Sequence, residues 1–259
     1  MSDKKLIVGN WKMNLNIHEA SLYVHKLSEA VKVHRNVEVA LAPTMLALPT
    51  LSLQVNRKQF KLAAQNFYWR DEGAFTGEVS ARQLTGLVEY ALVGHSERRH
   101  VFGETDKDIR AKMQAAVRNG ITPILCVGET AHERSENETD AVLHDQIVGG
   151  LANLTSEEVS TIVVAYEPVW AIGTGKNAVP QDVENAIRSI RRQIEHLYGK
   201  TASESVRVLY GGSTSAASAK SYLELPGVDG LLPGGASLKL HEFSEMVEIA
   251  HKVGRGKKA

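Results

Sequence analysis

Eight short apolar runs, each followed by a longer stretch of helical period, leave few folds open to this chain. The strand-like runs are Leu6–Asn10, Val37–Ala42, Phe60–Gln65, Tyr90–Val93, Ile121–Val127, Thr161–Glu167, Val206–Tyr210 and Val228–Leu232. Continuous apolar segments such as Ile162 to Ala165 suit parallel strands buried on both faces. Helix chemistry fills the gaps. Thr105 and Asp108 form a capping-type pair ahead of a face made of Ile109, Met113, Ala116 and Val117, and Gly120 follows the end. A second helix is predicted to open near Pro180, to place Val183, Ile187, Ile190, Ile194 and Leu197 on one stripe, and to stop at Gly199. No linker divides the 259 residues. Eight such units in about 250 residues are the size of a (β/α)8 barrel, whereas a doubly wound open sheet, the alternative, usually has fewer strands. The expectation is an α/β protein forming one (β/α)8 barrel domain over residues 1–259. A basic tail from about Lys252, with Arg255, Lys257 and Lys258, is expected to fray into solvent.

Composition narrows the partners. Thirty Lys+Arg balance 30 Asp+Glu, so no electrostatic footprint for nucleic acid or an acidic membrane is present. The first apolar run, Leu6 to Val8, is too short for a secretion signal, and prolines at 43 and 49 interrupt the long uncharged stretch from Val39 to Asn56. Cys126 has no partner for an internal disulfide and is expected to pack as a small hydrophobe. A soluble, cytoplasmic protein is the expectation.

In a (β/α)8 barrel, reactive groups sit just past the carboxyl ends of the strands. Asn10 and Lys12 follow the first run, His95 the fourth, and Glu167 ends the sixth. Taken singly, each has an ordinary structural explanation as a surface cation, a buried histidine or a solvated strand end. Together on one face, a cation, an imidazole and a carboxylate suit proton transfer at carbon beside a carbonyl. Glycine-rich segments follow the sixth, seventh and eighth runs: Gly173-Thr174-Gly175, Gly211-Gly212-Ser213 and Gly234-Gly235. Loops of that kind after strands seven and eight make a common phosphate cradle, so a phosphorylated small molecule is the expected ligand.

Cofactor motifs fail on position. Gly173-x-Gly175-x-x-Ala178 lies too far beyond its strand for a dinucleotide fingerprint, and a phosphate loop ending at Gly199-Lys200-Thr201 would need a glycine where Ile194 stands. No two histidines lie four apart and there is no His-Glu-x-x-His, so neither a metal nor another cofactor is expected.

The segments Gly9-Asn10-Trp11-Lys12-Met13-Asn14, Val93 to Arg99, Ala165 to Lys176, Tyr210-Gly211-Gly212-Ser213 and Gly234 to Leu238 resemble the triosephosphate isomerase family over almost the whole chain. The resemblance implies cofactor-independent interconversion of dihydroxyacetone phosphate and D-glyceraldehyde 3-phosphate through an enediolate, in central sugar metabolism. It implies Glu167 as base, His95 as neutral electrophile and Lys12 as electrostatic stabiliser. Asn10, Gly173, Ser213, Gly234 and Gly235 are implied to bind the substrate with Lys12. Pro168, Val169, Trp170, Ala171, Ile172, Gly173, Thr174, Gly175 and Lys176 are implied to form a lid that keeps water from the intermediate. Gln65 to Trp69 and Gly73 to Glu78 resemble the loop by which this family dimerises. Thr76 is therefore expected to support Lys12 of a second subunit, and Glu97 to stand beside the site.

Two departures from the family pattern are Thr214 in place of the usual Val and Pro233 in place of a small branched residue. Pro233 lacks an N–H and favours extended geometry at Leu232; activity should survive, and phosphate affinity is the property it touches. Two other readings stay open from the residues alone. A Schiff-base aldolase would have only Lys12 as an obvious amine, and an inactive barrel could bind phosphorylated metabolites without turnover.

Overall fold

Apolar strands that hide both faces need helices outside and a filled interior, and the chain supplies both. The computed structural model describes residues 4–172 and 177–256. The strands are β1 (Lys5–Asn10), β2 (Val37–Ala42), β3 (Lys61–Ala64), β4 (Tyr90–Val93), β5 (Thr122–Val127), β6 (Val163–Tyr166), β7 (Arg207–Tyr210) and β8 (Gly230–Leu231). They pair in parallel in chain order, and Leu6 against Gly230 with Ile7 against Leu231 joins β1 to β8 and closes the ring. This is a (β/α)8 barrel, with every expected strand present. Several strands end inside their expected bounds, where the chain leaves the ladder for other contacts. Gln65, for example, leaves β3 and turns its amide onto the carbonyls of Ala42 and Lys12, both at 2.9 Å.

Alternation along the strands sorts the side chains. Leu6, Val8, Ala40, Ala42, Ala63, Leu92, Ile124, Cys126, Val163, Ala165 and Leu209 fill the barrel. Their neighbours, including Ile7, Val39, Leu41, Leu125, Val164 and Val208, pack against the helices. Cys126 is fully buried, and burial pushes its thiol well above the ordinary range. Two inward columns continue to the mouth: Leu6 and Val8 lead to Asn10, and Val163 and Ala165 lead to Glu167. The strand period therefore aims those two polar side chains at the barrel axis.

The helices follow their caps. Thr105 and Asp108 form a reciprocal capping box on Asp106–Arg118, which buries Ile109, Met113 and Ala116. Pro180–Tyr198 opens with its proline and buries Val183, Ile187, Ile190 and Ile194. Leu197 does not join that stripe; it is 41% exposed, because Tyr198 takes the packing position in the last turn and donates to the Leu151 carbonyl at 2.7 Å. The expected fraying from Lys252 is also corrected. The helix Leu240–Gly256 continues through it, anchored by buried Phe243, Met246, Val247 and Ala250, and Lys257 and Lys258 lie outside the described residues. Among the described residues no helix is long and apolar enough to cross a membrane.

Candidate active site

Past the end of β1 the chain turns sharply, and Lys12 adopts φ +53, a left-handed conformation that costs a residue with a Cβ. Three contacts hold it there. Its N–H donates to Asn10 Oδ1 at 3.1 Å, its carbonyl accepts from Gln65 at 2.9 Å, and its Nζ meets Glu97 Oε1 at 2.6 Å. The ammonium is paired at the mouth and does not stand as a free amine inside the barrel, which does not suit a Schiff base.

His95 caps the short helix Ser96–His100 with its own ring: Nδ1 accepts the N–H of Glu97 at 3.2 Å. A ring nitrogen that accepts a hydrogen bond carries no proton, so the remaining proton sits on Nε2 and the imidazole is neutral. That Nε2 lies 3.1 Å from Glu167 Oε1. The other carboxylate oxygen of Glu167 accepts the N–H of Ser96 at 2.9 Å. Glu167 is only 2% exposed, and its backbone N–H donates to Val127 at 2.7 Å, continuing the pairing of β6 with β5. Gly211 packs on it so closely that a Cβ there would lie 2.9 Å from Glu167 Cγ.

A cavity of about 380 Å³ opens beside this cluster. Asn10, Lys12 and His95 line one side; Gly211, Gly212, Ser213, Gly234 and Gly235 line the other, and Ile172 reaches over it. Glu167 does not line it in this arrangement; the carboxylate lies behind His95. The β8 loop is fixed from below, since Ser237 donates to the Gly234 carbonyl through both N–H (2.8 Å) and Oγ (2.6 Å). Pro233 lies two residues past β8, and its carbonyl accepts the N–H of Asn10 at 2.9 Å, which ties the start of the glycine loop to β1. Thr214, beside Ser213, keeps a buried hydroxyl oxygen without a partner.

The segment after Glu167 starts with Pro168 and a turn of 3-10 helix, Val169–Ala171. Trp170 donates its indole N–H to Glu129 at 2.8 Å, Tyr166 donates to both oxygens of Glu129 at 3.1 Å, and the Arg134 guanidinium lies 4.1 Å above the Trp170 ring. Burial raises the Glu129 carboxyl above the ordinary carboxylate range, partly offset by these hydrogen bonds. Gly173, Thr174, Gly175 and Lys176 lie outside the described residues. Thr76 is exposed on the loop after β3, where Tyr68 stacks on Trp69 and leans on Phe75 with centroids at 4.1 and 4.5 Å.

The structure thus links Lys12, Glu97, His95 and Glu167 in one chain of contacts around the mouth. The family model described as triosephosphate isomerase matches residues 5–250. The chain belongs to the triosephosphate isomerase family. It is an enzyme of the isomerase class. Relatives named triosephosphate isomerase include one from Clostridium acetobutylicum, 44% identical, covering 94% of this chain and 98% of the relative. Others come from Citrifermentans bemidjiense, 43% identical over 95% and 99% of the two chains, and Trichlorobacter lovleyi, 42% over 94% and 98%. Nothing in the sequence marks Arg134, and Gln65 and Tyr166 lie in segments of family resemblance without a role of their own. Glu129 alone carried a usable signal, a carboxylate just past the end of β5, the position that drew attention to Asn10 and Glu167.

Proposed function

We propose that the chain interconverts dihydroxyacetone phosphate and D-glyceraldehyde 3-phosphate without a cofactor. The observation that carries this reading is the neutral imidazole of His95, whose Nε2 lies 3.1 Å from a buried carboxylate while Lys12 stands at the edge of the same cavity. In this reading the phosphate rests on the glycine loops at Ser213, Gly234 and Gly235, with Gly173 from the lid and the charge of Lys12. Asn10 fixes the Lys12 turn and the substrate beside it. The carbonyl oxygen faces His95 Nε2–H.

Glu167 then takes a proton from the carbon next to the carbonyl, and the electron pair moves to the carbonyl oxygen to give an enediolate. His95 and Lys12 stabilise the developing negative charge, and His95 relays the proton between the two oxygens. Glu167 returns its proton to the neighbouring carbon, which completes the isomerisation with no net gain or loss of atoms. In the resting geometry one carboxylate oxygen is held by Ser96 N–H and the other by His95. Reaching substrate therefore requires Glu167 to release Ser96 and swing toward the cavity. Closure of the lid that the resemblance implies at Pro168 to Lys176 supplies a dry site in which the intermediate keeps its phosphate.

We also propose that one such domain spans residues 1–259, works in the cytoplasm and pairs with a second copy. Met13, Phe102 and Val101 are 94%, 68% and 72% exposed, and Met13 and Phe102 flank a cleft of about 220 Å³ that also touches Lys12, His95 and Glu97. The loop tip carrying Phe75 and Thr76 supplies the matching apolar projection. A coupled assay on each triose phosphate, without added metal or nucleotide, tests the reaction; turnover in both directions is expected, and none with either substrate would discard it. A solution mass of one chain at all concentrations would discard the dimer.

A further inference from the structure

Outside the cluster just described, one side chain of the helix layer reaches the catalytic end of the barrel. The helix Thr139–Leu151 packs its Leu143, Ile147 and Gly150 inward. At Gly150 it comes so near β5 that a Cβ would lie 2.9 Å from a methyl of Leu125. One turn earlier on the same side, Gln146 meets the peptide of Gly128 with both ends of its amide. Its Oε1 accepts the Gly128 N–H at 2.8 Å and its Nε2 donates to the Gly128 carbonyl at 3.2 Å. Gly128 has left the β5 ladder, whose last pair is Val127 with Tyr166.

Satisfying two buried backbone groups would by itself be an ordinary structural task. The surroundings of Gly128 add more. A Cβ at Gly128 would lie 1.8 Å from the Glu167 carbonyl oxygen, so this peptide is pressed against the backbone of the base. The residue before it accepts Glu167 N–H at 2.7 Å. The residue after it, Glu129, accepts Val169 N–H at 3.0 Å and holds Trp170 and Tyr166 through its carboxylate. Residues 127–129 are thus the rail on which both the base and the start of the lid are mounted.

We infer that Gln146 is a positioning residue for the isomerisation: by clamping the Gly128 peptide from the helix layer, it sets where Glu167 and the lid anchor stand. This rests on the reading of Glu167 as the base. Because the contact is remote from substrate, it acts on turnover and on protection of the intermediate rather than on ground-state affinity.

The test uses Gln146→Ala and the near-isosteric Gln146→Glu in the full chain, with kcat, KM, the fraction of turnovers that release inorganic phosphate, and thermal midpoint measured together. A small misplacement of a positioned group costs on the order of tenfold or more in rate, so kcat per folded molecule should fall about tenfold with KM within about threefold. The phosphate-releasing fraction should rise. Gln146→Glu sets a carboxylate against the Gly128 carbonyl and should reproduce both effects, and it serves alone if the alanine variant does not fold. A lowered midpoint with unchanged kcat and unchanged phosphate release would reduce Gln146 to a structural brace and overturn the inference. Glu167→Asp run alongside separates the failures. If it stays fully active, the base reading falls; if it is impaired while both Gln146 variants are normal, only this inference falls.

Discussion

The two ends of the barrel use charged side chains in opposite ways. At the amino-terminal end, Glu38, Tyr90 and Arg207 come from the starts of β2, β4 and β7 and satisfy one another. Tyr90 donates to Glu38, Arg207 donates to Tyr90 at 2.7 Å, and Arg207 lies 3.3 Å from Glu38. Lys5 likewise donates to the Val228 carbonyl. Burial pushes the Tyr90 hydroxyl above its ordinary range, opposed by the Arg207 charge and reinforced by Glu38, so it stays protonated and can serve as donor. At the carboxyl-terminal end, Lys12 sits at φ +53, the carboxylate of Glu167 is shared between His95 Nε2 and Ser96 N–H, and Thr214, which lines the cavity, keeps a buried hydroxyl oxygen without a partner among the described residues. One end closes its hydrogen-bonding accounts internally; the other leaves strain and open valences where a ligand can meet them. Stability and chemistry are separable here because the barrel sends them to different ends of the same strands.

That separation can be broken most decisively at Glu167. Shortening it in Glu167→Asp withdraws the carboxylate by about one methylene and should reduce kcat on the order of a hundredfold or more, with little change in thermal midpoint. Near-normal turnover would remove Glu167 from its role. Lys12→Gly should sharpen the contrast further. Glycine accepts φ +53 without penalty, so the variant should lose at least about a hundredfold in kcat/KM while its unfolding free energy holds or rises by up to about 1 kcal/mol. Simultaneous loss of both would mean the turn is not strained.

The opposite end predicts the reverse signature. Arg207→Met leaves the Glu38 carboxylate without its cation and should cost about 3 kcal/mol in chemical denaturation, with kcat per folded molecule unchanged. The smallest effect concerns pH. Burial raises the folded-state pKa of Glu129, so ionising it opposes folding: the protonated group is favoured at low pH, and stability is lost as pH rises from the ordinary 4.5 through the raised value. Glu129→Gln removes that titration. The stability of the natural protein relative to this variant should therefore decline as pH is raised through that window. A difference that grows with pH would reverse the assignment.

How much of this was readable beforehand follows from the range over which each signal acts. Parallel strands buried on two faces write themselves as apolar runs, and the Thr105–Asp108 and Pro180 helix starts are local chemistry, so the barrel was legible. Strand ends were not: β3 stops at Ala64 although β4 runs on to Val93, and an apolar run does not mark where its ladder ends. Leu197 fits the helical period of its neighbours yet is 41% exposed, because the period does not say which of Leu197 and Tyr198 takes the inward place in the last turn. Asn10, Lys12, His95 and Glu167 stood out by their place after strands, and the resemblance to a family sharpened their roles. Gln65, Glu129 and Gln146 act on backbone groups or side chains brought near only when neighbouring strands pair and the helix layer packs onto them.

The sequence by itself determined the eight-fold alternation, the caps, the inward columns that end in Asn10 and Glu167, and the glycine loops, because each depends on neighbours a few residues away. Tertiary structure decided the hold of Ser96 on Glu167, the tie between Pro233 and Asn10 and the clamp on Gly128. Each of those is a choice among hydrogen-bond partners on separate elements, and the partners meet only once strands and helices have packed into a common wall.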